Sequence, residues 1–381
     1  MKIHRQRWPQ GVVGPALGLI VNPFSGLGGS VGLKGSDGFE TVQEALRRGA
    51  VPQANRKAVL ALDAIREDLP QLKIVTAGGA MGEAVARGAE VIHCADATAT
   101  TGIDTTAAAQ VMSDYGVDLI LFVGGDGTAR DVAAGTSSGI PILGVPAGVK
   151  MHSSVFAQTA KKAGRLAALF LAGSRDVTLR EAEIMDIDED LIRKDRVSAR
   201  LYGNAFSPYL ERMSQNAKAG AGPGEEAIAN AIAFEVASDM RPGCLYILGP
   251  GTTTHRVAKT LGLDATLLGV DAVVDGRLVG RDLDERGLLA LMNNHETWLV
   301  VSVLGGQGSL FGRGNQQISA EVIRRVGRKR IIAMASVQKL IALGNQPLLV
   351  DTGDDEVDAM LSGHIRLVTG PAQQTVFPVQ P

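Results

Sequence analysis

The chain has few cysteines and no long apolar run, and each shortage excludes a class of protein. Its 381 residues include two cysteines, Cys94 and Cys244, both beside apolar segments. We interpret them as buried thiols in a reducing compartment, because a disulfide framework or a cysteine metal site needs more of them. No apolar run reaches the roughly 18 residues that a transmembrane helix requires. No apolar segment follows the basic N-terminal residues, so a secretory signal is not expected. These shortages predict a cytoplasmic protein without a membrane partner.

The chain also has no large excess of positive or of negative side chains. Lysine and arginine total 38 against 40 aspartates and glutamates, a balance that argues against nucleic acid as a partner. Aromatic residues make up 4% of the chain, and no basic amphipathic helix stands out, which disfavours a lipid-facing surface. Glycine, in contrast, is abundant at 47 residues. Most of it clusters in a few loops, a distribution typical of loops that a ligand approaches closely.

The first half of the chain alternates strand and helix signals. Helices are predicted from a cap at Ser36 or Asp37 to about residue 48, at 56–68, around 83–88, from a cap at Asp104 to 113, and up to about residue 172. Strands are predicted between them at 17–21, 73–76, 90–94, 119–123 and 140–145. This alternation predicts an α/β fold with a Rossmann-like, doubly wound parallel sheet.

The pattern changes near residue 176. Two alternating segments, 177–187 and 197–205, predict a hairpin whose charged end at 188–195 is interpreted as solvated and not as a metal site. Strands and helices then return, with strands predicted at 245–248, 269–274, 298–303, 331–335 and 348–350, and helices after Thr252 and at 285–292. We therefore expect an N-terminal α/β domain at 1–175. A C-terminal substrate-binding domain of mixed α/β structure follows at 176–381, and its final segment can pack back on the first domain.

The most informative stretch is the apolar strand that ends in Gly124, Gly125, Asp126, Gly127 and Thr128. Glycines at a strand-to-helix turn let backbone N–H groups approach an anion. A carboxylate beside bound phosphate is unfavourable unless a hydroxyl proton or a metal ion lies between them. The stretch therefore points to phosphoryl transfer. The structural alternative is a tight turn in which Asp126 only caps the next helix.

Polar residues also follow the first strand. Asn22, Ser25 and Gly26 lie in its loop, and Lys34 is the nearest cation. Because open parallel sheets place ligands at the carboxyl ends of adjacent strands, this loop is expected to meet residues 124–128 there. The alternatives are a simple Asn-Pro turn and a solvated lysine.

Two more strands lead into candidate loops. Gly148 and Lys150 follow the strand at 140–145, and the lysine can contact phosphate or ribose or, alternatively, lie at a helix start without a ligand. Gly251, Thr252 and Thr253 begin a helix after the strand at 245–248, where N–H groups and hydroxyls suit a phosphate or a ribose. The threonines can alternatively serve only as helix caps.

A third glycine-rich segment spans residues 305–317. Arg313 can bind a phosphate through its planar guanidinium, and Asn315 and Gln316 can bind an amide or a base edge. Ser319 is predicted to cap the helix that follows. So much glycine in one stretch favours a binding site over a purely structural role.

These motifs together resemble those of a known family. The sequence 124–128, with Asn22-Pro23 and its glycine-rich turn upstream, resembles the superfamily of NAD kinases and diacylglycerol- and sphingosine-type lipid kinases. The longer segments 22–35, 148–153 and 311–317 resemble a bacterial and archaeal branch, the ATP-NAD kinase family. That resemblance covers nearly the whole chain, whereas the match to NAD kinases in general is mainly in its first half.

The resemblance implies a reaction and a set of roles. Gly124, Gly125, Gly127 and Thr128 would hold the phosphates of ATP, or of polyphosphate as an alternative donor. Asp126 would take the proton from the adenosine ribose 2′-hydroxyl of NAD, and the product would be NADP. Mg²⁺ would offset the negative charge that accumulates on the phosphates. The family further implies a homo-oligomer.

The chain departs from the family pattern in two respects. The Asn-Glu or Asn-Asp pair with which NAD kinases grip the nucleotide has no convincing equivalent, and residues 245–350 look α/β instead of mostly β. The substrate is therefore open at this point. A kinase for another hydroxyl, on a lipid or a small polyol, is one alternative, and a nucleotide-binding regulator without catalysis is another.

Overall fold

The computed structural model describes residues 14–33, 38–93, 100–137, 139–148, 151–187, 199–214, 225–304, 308–344 and 346–381. In the first part of the chain, the described strands form one parallel sheet, namely β1 (Ala16–Val21), β2 (Lys73–Ala77), β3 (Glu90–His93), β4 (Leu119–Gly124) and β5 (Ile142–Pro146). Their order is β3-β2-β1-β4-β5. The chain thus winds outward from β1 in one direction and then crosses to β4 and β5. The predicted doubly wound sheet is confirmed, with its switch point between β1 and β4.

The helices that cover the two faces of this sheet are α2 (Ala54–Asp68), α3 (Gly102–Tyr115), α4 (Asp126–Gly135) and α5 (Ala160–Leu171), whereas α1 (Phe39–Arg47) packs in a small separate core with the loop after β1. Helices α2 and α5 share one apolar core with side chains of β1 and β4, including Leu17 and Leu121. Helices α3 and α4 share the opposite core with Ile20 and Phe122. Alternate strand residues point to opposite faces, so each continuous apolar strand supplies both cores.

One helix prediction and one cap prediction in this half were wrong. Residues 83–88 form turns, preceded by the short 3-10 helix Gly79–Met81, because Gly82 and Gly88 have positive φ values of 149° and 78° that interrupt a helix. Asp104 is not the cap of α3. Thr101 is the cap, and the Asp104 carboxylate accepts a hydrogen bond of 2.7 Å from the backbone N–H of Thr101.

The predicted hairpin is confirmed as β6 (Thr178–Ile187) paired antiparallel with β7 (Ala199–Tyr209). It packs on the face of the first sheet that α4 also covers, because Ala182 and Ile184 are buried in the same core as Phe122. The predicted charged end at 188–195 and the caps proposed at Ser36 and Asp37 lie outside the described residues.

Nine of the described strands form a second, mixed sheet, with the bounds β8 (Leu245–Leu248), β9 (Asp271–Val274), β10 (Arg277–Gly280), β11 (Thr297–Ser302), β12 (Ser309–Phe311), β13 (Ile331–Met334), β14 (Leu348–Val350), β15 (Gly363–Gly370) and β16 (Gln373–Gln380). Their order is β10-β9-β8-β11-β13-β15-β16-β14-β12. The sequence patterns did not predict β10, β12, β15 or β16. In β16 the side chains are mostly exposed or half-buried, so the hydrophobic signal of a strand is weak.

The helices of the second half are α6 (Glu225–Ser238), α7 (Thr252–Thr260), α8 (Glu285–Met292), α9 (Ala320–Val326), α10 (Val337–Ala342) and α11 (Asp355–Leu361). Ser319 caps α9 as predicted, since its hydroxyl accepts from the N–H of Val322. Among the described residues, no helix combines the length and the apolar character needed to cross a membrane. The domain boundary at 175/176 stays a prediction.

Candidate active site

Three loops meet where β1, β4 and β5 end. The N–H of Asn22 donates to the carbonyl of Val123 at 3.0 Å, and its side-chain Nδ2 donates to Oγ1 of Thr128 at 3.0 Å. The carbonyl of Gly124 accepts from the N–H groups of Ala147 and Gly148, at 2.9 and 3.1 Å. Polar and glycine residues that are more than 100 positions apart in the chain are thus in direct contact, at the place where open sheets bind ligands.

Glycine is required where these loops touch. A Cβ on Gly148 would lie 2.7 Å from the Cα of Gly125, closer than side-chain atoms approach backbone. Gly26 has a φ of 74°, and a Cβ there would lie 2.0 Å from the carbonyl oxygen of Ala147. The three loops therefore pack backbone against backbone, which explains the glycines at 26, 125 and 148 without a ligand.

Asp126 lies at the centre of this contact, as the first residue of α4. The residue is 6% exposed. Its Oδ1 accepts from the N–H of Ser153 at 2.9 Å, and its Oδ2 accepts from the N–H of His152 at 2.6 Å. Nδ1 of His152 is 3.5 Å from the same Oδ2. The carboxylate is thus held by two consecutive backbone amides of the loop that follows β5.

Asn22, Ser25 and Thr128, which were also predicted, lie in the loops that meet around this carboxylate. Ser25 and Thr128 are buried, and Oγ of Ser25 lies 3.9 Å from the position that a Cβ of Gly125 would take. Asn22 also accepts from the N–H of Phe24 through Oδ1, so its amide fixes the loop after β1 as well as Thr128. Lys34 and Lys150 lie outside the described residues.

Arg313 and Asn315 are placed differently from the sequence expectation. The Arg313 guanidinium is buried and donates to the carbonyls of Ala157, at 3.2 Å, and Gln158. Burial lowers the pKa of Arg313 to about 10, although nearby Asp351 acts in the opposite direction. Asn315 accepts from the N–H of Gly312 and donates to the carbonyl of Leu310. Both side chains therefore bind backbone groups.

The neighbouring Gln316 does reach the three loops. Its Nε2 lies 3.5 Å from the carbonyl oxygen of Gly148, the glycine that packs on Gly125. The glycine-rich segment of the second half thus borders the site through Gln316. Gly312, in the same segment, has a φ of 91° and a Cβ there would lie 1.9 Å from the carbonyl oxygen of Asp351. Packing accounts for this glycine.

Gly251 lies in the second half, in the loop between β8 and α7, and Thr252 and Thr253 are the first two residues of α7. The described hydrogen bonds of this loop stay within that half, because the N–H of Gly251 donates to the carbonyl of Leu267 and Thr254 donates back to Gly251. Thr253 is buried, at 6% exposure. The structure does not bring these residues into contact with Asp126.

Sequence reasoning did not single out Ser153 or Lys57. Nζ of Lys57 in α2 lies 3.1 Å from the carbonyl oxygen of Pro146 and 3.1 Å from Oδ2 of Asp351. Nothing in the sequence around a lysine of an amphipathic helix indicates that it contacts a residue 294 positions away. Ser153 lies inside the motif 148–153, so the sequence could indicate its place near the site but not its role.

Comparison with known proteins adds the family. Residues 17–174 match the ATP-NAD kinase N-terminal domain, and residues 242–379 match the ATP-NAD kinase C-terminal domain. The chain belongs to the ATP-NAD kinase family. Membership indicates a kinase-type phosphotransferase that acts on a hydroxyl group. The segment between the two matches includes the hairpin β6–β7.

Other comparisons are weaker. No curated protein matches the chain significantly. Two solved structures of a proposed diacylglycerol kinase from Bacillus anthracis str. Sterne are similar at 17% and 15% identity, each with a TM-score of 0.26. The aligned parts cover 46% and 62% of this chain, and 45% and 60% of those chains. At that TM-score they support no inference about fold or substrate.

Proposed function

We propose that this ATP-NAD kinase family member transfers the γ-phosphoryl group of ATP to the adenosine ribose 2′-hydroxyl of NAD, giving NADP. The observation that carries the proposal is the position of the Asp126 carboxylate. It lies at the start of α4, where the glycine-containing loops that follow β1, β4 and β5 come together. The reaction needs a phosphate-binding site and a general base next to each other. The start of α4 can supply both.

The N-terminus of α4 supports a phosphate site. Its first N–H groups have no partner within the helix, and the helix dipole favours an anion there. Gly127 and Thr128 lie in this first turn, and Gly124 and Gly125 precede it. The missing Cβ atoms let a phosphate approach these N–H groups directly. Asn22, bonded to Thr128, keeps the loop after β1 beside them.

Asp126 then has the role of proton acceptor. As the ribose oxygen attacks the γ-phosphorus and the bond to ADP breaks, the hydroxyl proton passes to a carboxylate oxygen. Each oxygen of an ionised carboxylate has two lone pairs, so one remains on each after the bonds from His152 and Ser153. Because the residue is 6% exposed, we expect substrate binding to displace part of the surrounding loops outward.

Mg²⁺ is expected to accompany the nucleotide. The described residues contain no group of three or more His, Cys, Asp and Glu side chains that could hold a metal ion by themselves. Mg²⁺ is commonly bound through substrate phosphates and water, with one or two carboxylates at most, and this chain is compatible with that arrangement. When bound, it would neutralise charge on the transferred phosphoryl group.

An acceptor panel tests the proposal. Purified protein is incubated with Mg²⁺ and γ-labelled ATP, or with polyphosphate, and one acceptor at a time: NAD, NADH, a small polyol or diacylglycerol in vesicles. Label in NADP, confirmed with an NADP-specific dehydrogenase, is the expected result. Label in the polyol or the lipid would contradict the proposed substrate. Tight NAD and ATP binding by calorimetry without any turnover would identify a regulator instead.

Light scattering of the same sample tests the homo-oligomer that the family implies.

A further inference from the structure

The hairpin β6–β7 is directly bonded to the loop that holds Asp126. It lies at residues 178–209, between the segments that match the two family domains, 17–174 and 242–379. Nothing in the family assignment therefore gives it a role. We propose that the hairpin, acting through Ser153, positions the Asp126 carboxylate for proton transfer. The inference rests on the function proposed above.

Ser153 is the residue that links the hairpin to the carboxylate. Its hydroxyl donates to the carbonyl of Met185 in β6 at 2.8 Å and accepts from the N–H of Met185 at 3.0 Å. Its own backbone N–H donates to Oδ1 of Asp126 at 2.9 Å. The residue is completely buried, at 0% exposure. A displacement of Met185 is thus transmitted to Asp126 through one residue.

The hairpin provides a firm support for Ser153. Ala182 and Ile184 of β6 are 2% and 1% exposed and lie in the core that α4 shares. The next loop residue, Ser154, donates through its N–H to the carbonyl of Glu183 at 2.8 Å and accepts from Arg180 at 3.1 Å. Two consecutive loop residues are therefore tied to the strand that is itself packed against α4, the helix that carries Asp126.

Two amides in sequence determine how the carboxylate is oriented. Ser153 bonds Oδ1 and His152 bonds Oδ2, so the plane of the carboxylate follows the backbone of this loop. Misplacement of a reacting group by about 1 Å can cost on the order of 10²-fold in rate. Loss of the Ser153 hydroxyl keeps both amides and the bond from Ser154 to Glu183, but it removes both hydrogen bonds to Met185. We therefore expect an effect of roughly tenfold on kcat.

The test is a double-mutant cycle on the full chain, with Ser153→Ala, Asp126→Asn and the two combined. Ser153→Ala is expected to lower kcat about tenfold and to leave the KM for ATP within about twofold, since it releases the base and not the phosphate loops. In the Asp126→Asn background the same change should lower kcat no further, because the group it positions is already absent.

Ser207→Ala is the matched control. Ser207 lies in β7, is 1% exposed, and its hydroxyl has no hydrogen-bond partner among the described residues. It should keep the wild-type kcat.

Three outcomes separate the claims. Wild-type kcat in Ser153→Ala overturns the inference, and so does an equal loss of kcat in both backgrounds, which is the sign of a general structural defect. Full activity of Asp126→Asn overturns the proposed base and, with it, this inference. Urea midpoints check that each variant folds. If Ser153→Ala does not fold, Ser153→Cys keeps nearly the same volume with a weaker donor, and the same criteria apply to it.

Discussion

Nζ of Lys57 lies 3.1 Å from Oδ2 of Asp351, and this ion pair joins the two halves of the chain. The same ammonium group donates to the carbonyl of Pro146, the last residue of β5. Ala147 and Gly148 follow directly, and they pack on Gly26 and Gly125. The second half is thus fixed to the start of the loop that leads to the amides around Asp126.

This ion pair predicts a dependence of stability on pH. Burial alone would raise the pKa of Asp351, but the attraction and hydrogen bond of Lys57, together with Arg313 and Arg56, hold it below its ordinary value. A carboxyl whose pKa is lower in the folded state contributes stability above its unfolded pKa, near 4, and loses it as the pH falls through the folded value. Asp351→Asn should therefore be less stable than wild type by about 1–2 kcal/mol at pH 7. The difference should shrink below about pH 4.

Urea unfolding at several pH values measures this difference. Asp63→Asn serves as control, because Asp63 is mostly exposed and its pair with Arg66 is long, at 3.8 Å. A difference between wild type and Asp351→Asn that stays constant from pH 7 to below pH 4 would show that the charge of Asp351 is not what stabilises the fold.

Asp126→Asn tests the proposed base. We expect kcat to fall about 10²–10⁴-fold, because an amide cannot accept the hydroxyl proton. Asparagine has one acceptor oxygen where aspartate has two, so it can satisfy one of the two amides at His152 and Ser153. A loss of about 1–3 kcal/mol in unfolding free energy should accompany the change. Asp131→Asn, on the same helix, is the control and should keep near wild-type turnover. Wild-type turnover of Asp126→Asn would exclude the assigned role.

Arg313→Met distinguishes a structural from a phosphate-binding arginine. The guanidinium donates to the carbonyls of Ala157 and Gln158, which would be left buried without it. We expect the free energy of unfolding to fall by roughly 3 kcal/mol, with the KM for ATP little changed. Arg277→Met, at an exposed position in β10, is the matched control. A large rise in the KM for ATP at unchanged stability would favour phosphate binding instead.

Gly26→Ala tests the close packing of the loops. With a φ of 74° and the Ala147 carbonyl oxygen 2.0 Å from the new Cβ, the substitution forces the loops after β1 and β5 apart. We expect a loss of about 2–4 kcal/mol in stability and a marked loss of activity. Gly203→Ala is the control, since no atom lies within 4 Å of its Cβ position and its φ is not left-handed. Equal stabilities of the two variants would contradict the packing described.

Much of the first sheet could be predicted because its signals are local. Strands β1 and β4 are continuous apolar runs, and each is followed by a loop that contains glycine and small polar residues. The switch point then follows from the order of the strands, without any knowledge of contacts. The helix predicted at 83–88 failed, because composition favoured a helix while Gly82 adopts a φ of 149° to pass close to Thr76.

The second half was harder to predict for two reasons. Strands β15 and β16 form the long antiparallel pair of the mixed sheet, but β16 is only partly buried and its apolar pattern is weak. Arg313 looks like a phosphate ligand among glycines. It also donates to backbone carbonyls about 155 residues away, and backbone carbonyls leave no trace in a sequence.

The amino-acid sequence by itself determined the alternation of strands and helices in the first half, the glycine turn around Asp126 and the resemblance to a kinase family. These depend on periodicity and on residue types at short spacing. The tertiary structure decided which distant groups meet: Ser153 with Met185 and Asp126, and Lys57 with Asp351. Contacts of this kind depend on how the chain packs in three dimensions, and side chains that bind backbone atoms or distant partners need no local pattern to do so.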